Sequence, residues 1–160
     1  MVERGAAVDA PTTDNARPLL YACEGGHLNV ARFLRSRGAR VDVINLASES
    51  AMHRACSAGH LELAQWLQTE GASVTAADCD GDTPLHLAAR EGSPEVVRWL
   101  LECGASPTAR NASGEDAMLF ACEAGMLDVA KALRSRGGRV RSASRDGETP
   151  LHAAAGTGSL

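Results

Sequence analysis

The side chains most suggestive of chemistry lie in the stretch DCDGDTPLHLAAREG, residues 78–92. Asp78, Asp80 and Asp82 alternate near a glycine, and His86 and Glu91 follow shortly after. Carboxylates in this pattern can bind calcium, and carboxylates beside a histidine can bind another metal or transfer protons. The stretch therefore presents three alternatives: a calcium loop, another metal site or an acid/base centre.

The calcium alternative fails on spacing. An EF-hand loop has acids at positions 1, 3 and 5, glycine at position 6 and a bidentate glutamate at position 12. Counted from Asp78, the glycine falls at position 4 and Ala89 at position 12. In addition, Thr83 and Pro84 are suited to begin a helix inside such a loop, as N-cap and first helical residue. We therefore expect no calcium here.

The other reactive residues recur at a fixed interval rather than converging. His53 and His86 are 33 residues apart, and Cys23 and Cys56 are also 33 apart. A metal or catalytic centre needs several such groups at one place, whereas this spacing distributes one per interval. No phosphate-binding loop, nucleophile elbow or metalloprotease motif is found. The sequence predicts no catalytic residue, metal ligand or cofactor; the open alternative is that Cys79, in an exposed turn, is a reactive thiol.

Composition and charge narrow the class of protein further. The chain has 160 residues and a formal net charge of −4, which argues against nucleic acid as the main partner. It has no apolar run long enough to insert into a membrane and no apolar segment typical of a signal peptide at its start. With an odd number of cysteines and no C-x-x-C pair, we expect reduced thiols and a cytoplasmic location, with the nucleus as an alternative.

An internal repeat of 33 residues organises the whole chain. Residues 21–41, YACEGGHLNVARFLRSRGARV, return as FACEAGMLDVAKALRSRGGRV at 120–140, and TPLH occurs at 83–86 and 149–152. Within one unit, Thr83 and Ser93 are placed to cap two successive short helices, each starting with proline, and Gly92 separates them. The apolar positions of both helices recur at helical spacing. Each unit is thus predicted to be a helix-turn-helix.

The period, the turn, the two helices and the TPLH signature resemble the ankyrin repeat. The resemblance implies an all-α solenoid of stacked helix-turn-helix units joined by extended, hairpin-like turns. It also implies that the histidine of TPLH hydrogen-bonds the capping threonine and adjoining backbone. The units implied are 12–44, 45–77, 78–110 and 111–143, with 1–11 as the end of a preceding unit and 144–160 as part of a fifth.

Three units depart from the signature where their first helix begins. Arg17 replaces the capping threonine in the first unit, whereas Ser50 and Asp116 can still cap in the second and fourth. The second and fourth units also lack the proline. We expect these two helix starts to be less stable by about 1 kcal/mol each, without loss of the fold.

The resemblance implies a non-catalytic module that binds another protein through its concave face and turn tips. Mapped onto this chain, that surface comprises Asp14, Glu24, Leu46, Glu49, Ser57, Cys79, Asp80, Asp82, Arg90, Glu91, Ser113, Glu115 and Glu123. Most of its charged members are acidic, whereas the basic residues recur on the second helices and the loops after them. The hypothesis that follows is a partner segment rich in Lys or Arg.

Two further interpretations stay open. The chain could instead be a structural spacer or scaffold segment of a longer protein, with further ankyrin repeats or other domains attached, because neither end resembles a polar capping unit. Separately, Arg139 and Arg141 precede Ser144 in a pattern that resembles a basic-directed kinase site.

Overall fold

The computed structural model describes residues 8–158, and within that range every regular element is an α-helix. The helices are α1 (Pro18–Glu24), α2 (Leu28–Ser36), α3 (Ala51–Ser57), α4 (Leu61–Thr69), α5 (Pro84–Glu91), α6 (Pro94–Glu102), α7 (Ala117–Glu123), α8 (Leu127–Ser135) and α9 (Pro150–Thr157). Ile44 and Ser50, in the loop before α3, form an isolated antiparallel β-bridge. The predicted all-α fold of helix-turn-helix units is confirmed. The unit boundaries remain a prediction, and residues 1–7 of the proposed preceding unit lie outside the described residues.

The helices stack in two rows. The first helices of successive units, α1, α3, α5, α7 and α9, pack one on the next, and each of the first four also packs on the second helix of its own unit. One face of the first helices carries alanine at the same position of every unit, buried throughout: Ala22, Ala55, Ala88, Ala121 and Ala154. A methyl side chain lets neighbouring helix backbones approach closely without leaving a void. This explains how a chain with only 3% aromatic residues fills its core.

Leucine fills the matching position of the second helices. Leu34, Leu67, Leu100 and Leu133 are all buried, the last three completely. Truncating a fully buried leucine to alanine typically costs about 2–5 kcal/mol, so these positions hold each second helix against its unit. The core is therefore a row of small, repeated contacts between neighbours rather than one central cluster of large side chains.

The turn between the two helices of a unit requires glycine. Gly26, Gly59, Gly92, Gly125 and Gly158 have φ between +70° and +78°, which is the left-handed region. A side chain in that conformation costs roughly 1–2 kcal/mol, which glycine avoids. The 33-residue spacing of these glycines in the sequence thus reflects one backbone requirement repeated five times.

A threonine–histidine corner begins the first helix of the third unit. The Thr83 N–H donates to His86 Nδ1 at 3.1 Å, and the Thr83 hydroxyl lies 2.9 Å from the same nitrogen. The His86 Nε2 lies 3.1 Å from the carbonyl of Ala109 and 3.2 Å from that of Glu115, so the fully buried ring also joins this corner to the next loop. The structural role implied for this histidine is confirmed.

At the other helix starts discussed above, capping agrees with the sequence prediction with one exception. Ser50 and Asp116 accept hydrogen bonds from the backbone three residues on, whereas Arg17 makes no side-chain cap. Ser93 stands at the expected N-cap position of α6 but makes no cap hydrogen bond, so that prediction was wrong in its mechanism. Its ψ of 87° departs from the extended conformation of the capping residues at the first helices.

Candidate protein-binding surface

The loops between units are joined by a ladder of backbone hydrogen bonds. In each loop, an amide donates to a carbonyl of the preceding loop at 2.8–3.0 Å: Leu46 to Asp14, Cys79 to Ala47, Ala112 to Asp80 and Arg145 to Ser113. Because these pairs are related by the 33-residue period, the loop tips form a regular row. The side chains at the tips are therefore presented at fixed spacing by a stiff backbone.

A polar side chain closes each of these loops from within. Asp78 Oδ1 accepts from the N–H groups of Asp80 and Asp82, at 3.0 and 2.9 Å. Asn45, Asn111 and Ser144 make the corresponding bond to the amide four residues on. The carboxylate of Asp78, which suggested metal chemistry in the sequence, thus accepts backbone hydrogen bonds. The hydroxyl of Ser144, the residue of the kinase-like pattern, has the same structural role.

The predicted partner-binding residues lie on the loops and first helices, and most of them are exposed. We call this side of the stack the first-helix surface. The exposed members are Asp14, Glu24, Leu46, Cys79, Asp80, Arg90, Glu91, Ser113 and Glu123, and the half-buried ones are Glu49, Ser57 and Glu115. Leu46 is the most open of the large apolar side chains among the described residues, at 73% exposure. Their role in binding remains a prediction.

Asp82 was predicted to bind a partner, which requires an exposed side chain, but it is buried. Its residue is only 7% exposed, and its carboxylate accepts a 2.8 Å hydrogen bond from Asn111 Nδ2. Burial raises the pKa of Asp82 above its ordinary value, although the Asn111 hydrogen bond and the nearby His86 oppose the shift. Asp82 therefore links two loops, and it does not offer a free charge to a partner.

Arg54 neutralises the acids at the first two units. Its guanidinium lies 2.7 Å from the carboxylate of Glu49 and 3.2 Å from that of Glu24, so one α3 side chain joins two units. The Glu24 carboxylate is exposed, and exposed ion pairs contribute little to stability, typically below about 1 kcal/mol. Their consequence here is electrostatic, because the two glutamates are already compensated on the protein itself.

The acids of the last two units lack such compensation. Burial raises the pKa of Glu123 above its ordinary value, and the nearby Glu115 and Glu148 raise it further. Among residues 8–158, none of these three carboxylates forms an ion pair. Like charges held together without a counter-charge favour binding of a cation. The negative character of the first-helix surface is therefore concentrated around α7.

Arg90 is the basic residue at the centre of this surface. Its guanidinium carbon lies 5.8 Å from the centre of the Phe120 ring, in cation–π range, and its Nε lies 3.4 Å from Glu91. These contacts tether Arg90 and partly compensate Glu91. Asp80 and Glu123, which are also exposed on the loops and first helices of the third and fourth units, form no ion pair among residues 8–158.

The five cysteines differ in their burial. Cys23 and Cys56 are fully buried, and burial raises the pKa of the Cys23 thiol to about 12. Cys103 and Cys122 are half-buried. Cys79 is exposed, but desolvation raises its pKa, and the neighbouring Asp80 and Asp78 raise it further. A raised pKa disfavours the nucleophilic thiolate, so Cys79 does not have the environment of a reactive cysteine.

Residues 8–158 contain no cluster of three or more His, Cys, Asp or Glu side chains arranged to hold a metal ion. No helix in the same range is long and apolar enough to cross a bilayer.

Comparison with known families agrees with this architecture. A model of three consecutive ankyrin repeats matches residues 37–111, and a model of a single ankyrin repeat matches residues 14–46. Together the two matches span more than half of the chain. The chain belongs to the ankyrin repeat family. No curated protein matches it. Ankyrin repeats are generally protein–protein interaction modules and are typically non-catalytic, which is the general role that membership assigns to this chain.

Sequence reasoning missed three members of the first-helix surface. Glu148 occupies the position of Glu115 one period later, and Arg145 occupies that of Cys79 two periods later, so the repeat alone could have identified both. Arg54 gave no such signal, because the same position holds tyrosine, leucine or phenylalanine in the first, third and fourth units. Its role is visible only from its contacts with two glutamates.

Proposed function

We propose that this ankyrin-repeat chain is a non-catalytic module that binds a Lys- or Arg-rich segment of another protein on its concave, first-helix surface. The observation that carries the proposal is the group of uncompensated carboxylates around α7, where Glu123 has a raised pKa beside Glu115 and Glu148. A cationic side chain placed there would relieve this repulsion, a gain that does not exist where Arg54 is already present.

The rigidity of the surface supports the same proposal. Binding loses less conformational entropy when the recognition groups are already held in place. The ladder between loops fixes the tips, and exposed Leu46 and Cys79 lie among the acidic residues as apolar contacts. A partner segment with basic residues flanking an apolar one fits this combination.

The test compares three forms of the protein as baits. The double variant Glu91→Lys/Glu123→Lys reverses two carboxylates of the first-helix surface, and Glu62→Lys/Glu95→Lys reverses two exposed carboxylates at the starts of α4 and α6. Both variants change the net charge equally. Proteins recovered from cell extract by the unaltered chain and by the α4/α6 variant, but not by the first-helix variant, are the expected partners.

A direct measurement then decides the proposal. The recovered partner's basic segment, as a peptide, should bind the unaltered chain and the α4/α6 variant with similar affinity, and the first-helix variant at least about tenfold more weakly. Circular dichroism at equal concentration checks that both variants keep their helix content. Equal affinity for all three forms would refute the acidic surface as the binding site.

The same proposal assigns the chain no enzymatic activity and a cytoplasmic location, with the nucleus as an alternative. Both remain predictions. A fluorescent fusion expressed in cells would test the location.

A further inference from the structure

A second charged site, of opposite sign, lies away from the first-helix surface. Four arginines line a cleft of about 550 Å³ between the end of α8 and the adjoining loops: Arg110, Arg134, Arg139 and Arg141. We call this the arginine cleft. Its remaining lining residues, Gly138, Val140, Ser142 and Ala143, are small and carry no charge. In a chain of net charge −4, this is a local concentration of positive charge.

None of the four arginines has an acidic partner within residues 8–158. Arg110 Nη1 donates to the carbonyl of Ala143 at 2.8 Å, which fixes this side chain across the cleft and leaves its other N–H groups available. The nearby carboxylate of Asp116 is buried, caps α7 and accepts a hydrogen bond from Ser142. It does not line the cleft.

The first unit provides an internal comparison for Arg139, because the matching position there is neutralised. Arg35 and Arg40 correspond to Arg134 and Arg139, three periods earlier. Arg35 pairs at 2.8 Å with Glu70 of the following unit, a contact that has no matching position among residues 8–158, so the comparison rests on Arg40. Arg40 pairs with both oxygens of Asp42, at 3.0 and 2.8 Å. The position of Asp42 holds Arg141 in the fourth unit, so the neutralising acid is replaced there by another cation.

The helix dipole stabilises only part of the positive charge in the arginine cleft. A cation in the last turn of a helix interacts favourably with the helix dipole, and Arg134 lies in the last turn of α8. Arg139 and Arg141 lie beyond the helix and gain no such stabilisation. All three side chains are exposed, so water and salt screen their mutual repulsion, and a ligand with negative charge would relieve what remains.

We propose that the arginine cleft binds a compact anion carrying two or more phosphate groups. Guanidinium groups match phosphate oxygens with paired, charge-assisted hydrogen bonds, and four of them exceed what a single carboxylate can use. The lining consists of these arginines and four small residues, so it offers little apolar surface to a large hydrophobic ligand. The same phosphate chemistry occurs in soluble polyphosphates and in phosphoinositide headgroups, and both fit the cleft. This site is independent of the proposed partner surface.

Tripolyphosphate is the probe, and titration calorimetry at low ionic strength, about 50 mM salt, is the measurement, since screening weakens exposed charge contacts. The test variant is Arg134→Gln/Arg139→Gln. The control is Arg35→Gln/Arg40→Gln, which removes two arginines from the matching positions of the first unit. The test variant should lose about tenfold or more in affinity and the control less than about twofold, because only the test arginines lack protein partners.

A third variant reproduces the neutralised state of the first unit. Arg141→Asp places an acid where Asp42 stands and should weaken tripolyphosphate binding at least as much as the double variant. Circular dichroism confirms that each variant is folded. No binding by the unaltered chain, or equal losses in test and control variants, would overturn the proposal. So would equally tight binding of a glutamate hexapeptide, which has comparable charge without phosphate.

Vesicles distinguish the two phosphate sources. Co-sedimentation with vesicles containing a bisphosphorylated phosphoinositide, but not with phosphatidylcholine vesicles, would identify a lipid headgroup as ligand. Binding of tripolyphosphate without vesicle binding would identify a soluble one. Either result supports the cleft as a phosphate site, provided that Arg134→Gln/Arg139→Gln abolishes it.

Discussion

Replacing Asn111 by aspartate probes how the loops of the third and fourth units are joined. The Asn111 amide nitrogen donates to Asp82 at 2.8 Å and to Glu115 at 2.9 Å, while its oxygen accepts from the Ser113 and Glu115 backbone. Aspartate has the same shape and keeps the accepting oxygen. It removes both donated bonds and adds a negative charge between two carboxylates.

The magnitude follows from these contacts. Hydrogen bonds to charged groups contribute about 1.5–3 kcal/mol each, and Glu115 is only half-buried, so we expect Asn111→Asp to cost about 2–4 kcal/mol at neutral pH. Asn45→Asp is the matched control. Asn45 donates to a single carboxylate, Glu49, which keeps its ion pair with Arg54, so the control should cost about 1.5 kcal/mol, the lower end for one such bond.

The pH dependence gives a second, independent check. Burial already raises the pKa of Asp82, and the variant loses the Asn111 bond that opposes this rise, so the folded-state pKa increases further. The folded variant then binds a proton more tightly than the unfolded chain, and its relative stability increases as pH falls through that pKa. Urea unfolding followed by circular dichroism at about pH 7 and pH 5 measures both effects. Equal costs for Asn111→Asp and Asn45→Asp, or a cost unaffected by pH, would refute the reasoning.

Three further predictions test the loops, the helix corner and the exposed thiol. Gly81→Ala should cost at least about 1 kcal/mol more than Gly147→Ala in urea unfolding, because both have positive φ but only the Gly81 Cβ would meet a neighbouring backbone nitrogen, at 2.8 Å. His86→Ala should destabilise by about 2–4 kcal/mol and His152→Ala by under about 1 kcal/mol, since His152 is exposed and the buried His86 also bonds the next loop; similar costs would contradict the bridging role. Cys79 should react with an aromatic disulfide at neutral pH more slowly than free cysteine, because desolvation and the two adjacent aspartates raise its pKa; faster reaction would contradict this.

The repeat made most of the fold predictable. Each glycine, capping and apolar position recurs in up to five units at the 33-residue spacing. An atypical residue in one unit could therefore be interpreted from the residues at the same position of the other units. The exceptions arise where neighbours differ. Asp82 shares its position with Glu49 and Glu115, yet Asp78 precedes it where the other two follow an asparagine. Since Asp78 cannot donate to a carboxylate, Asp82 receives its hydrogen bond from Asn111 of the next loop and is buried there.

Charge compensation was the least predictable property, because it depends on which side chains reach one another. The acids of the first-helix surface are evenly distributed along the sequence, but Arg54 neutralises those at one end and leaves Glu123 and its neighbours open at the other. The basic segment proposed as partner would therefore meet a gradient rather than a uniform field, and we expect its most cationic part near α7. Because the loop ladder fixes the spacing of the tips, we predict that this gradient would set the direction of such a segment as well as its charge.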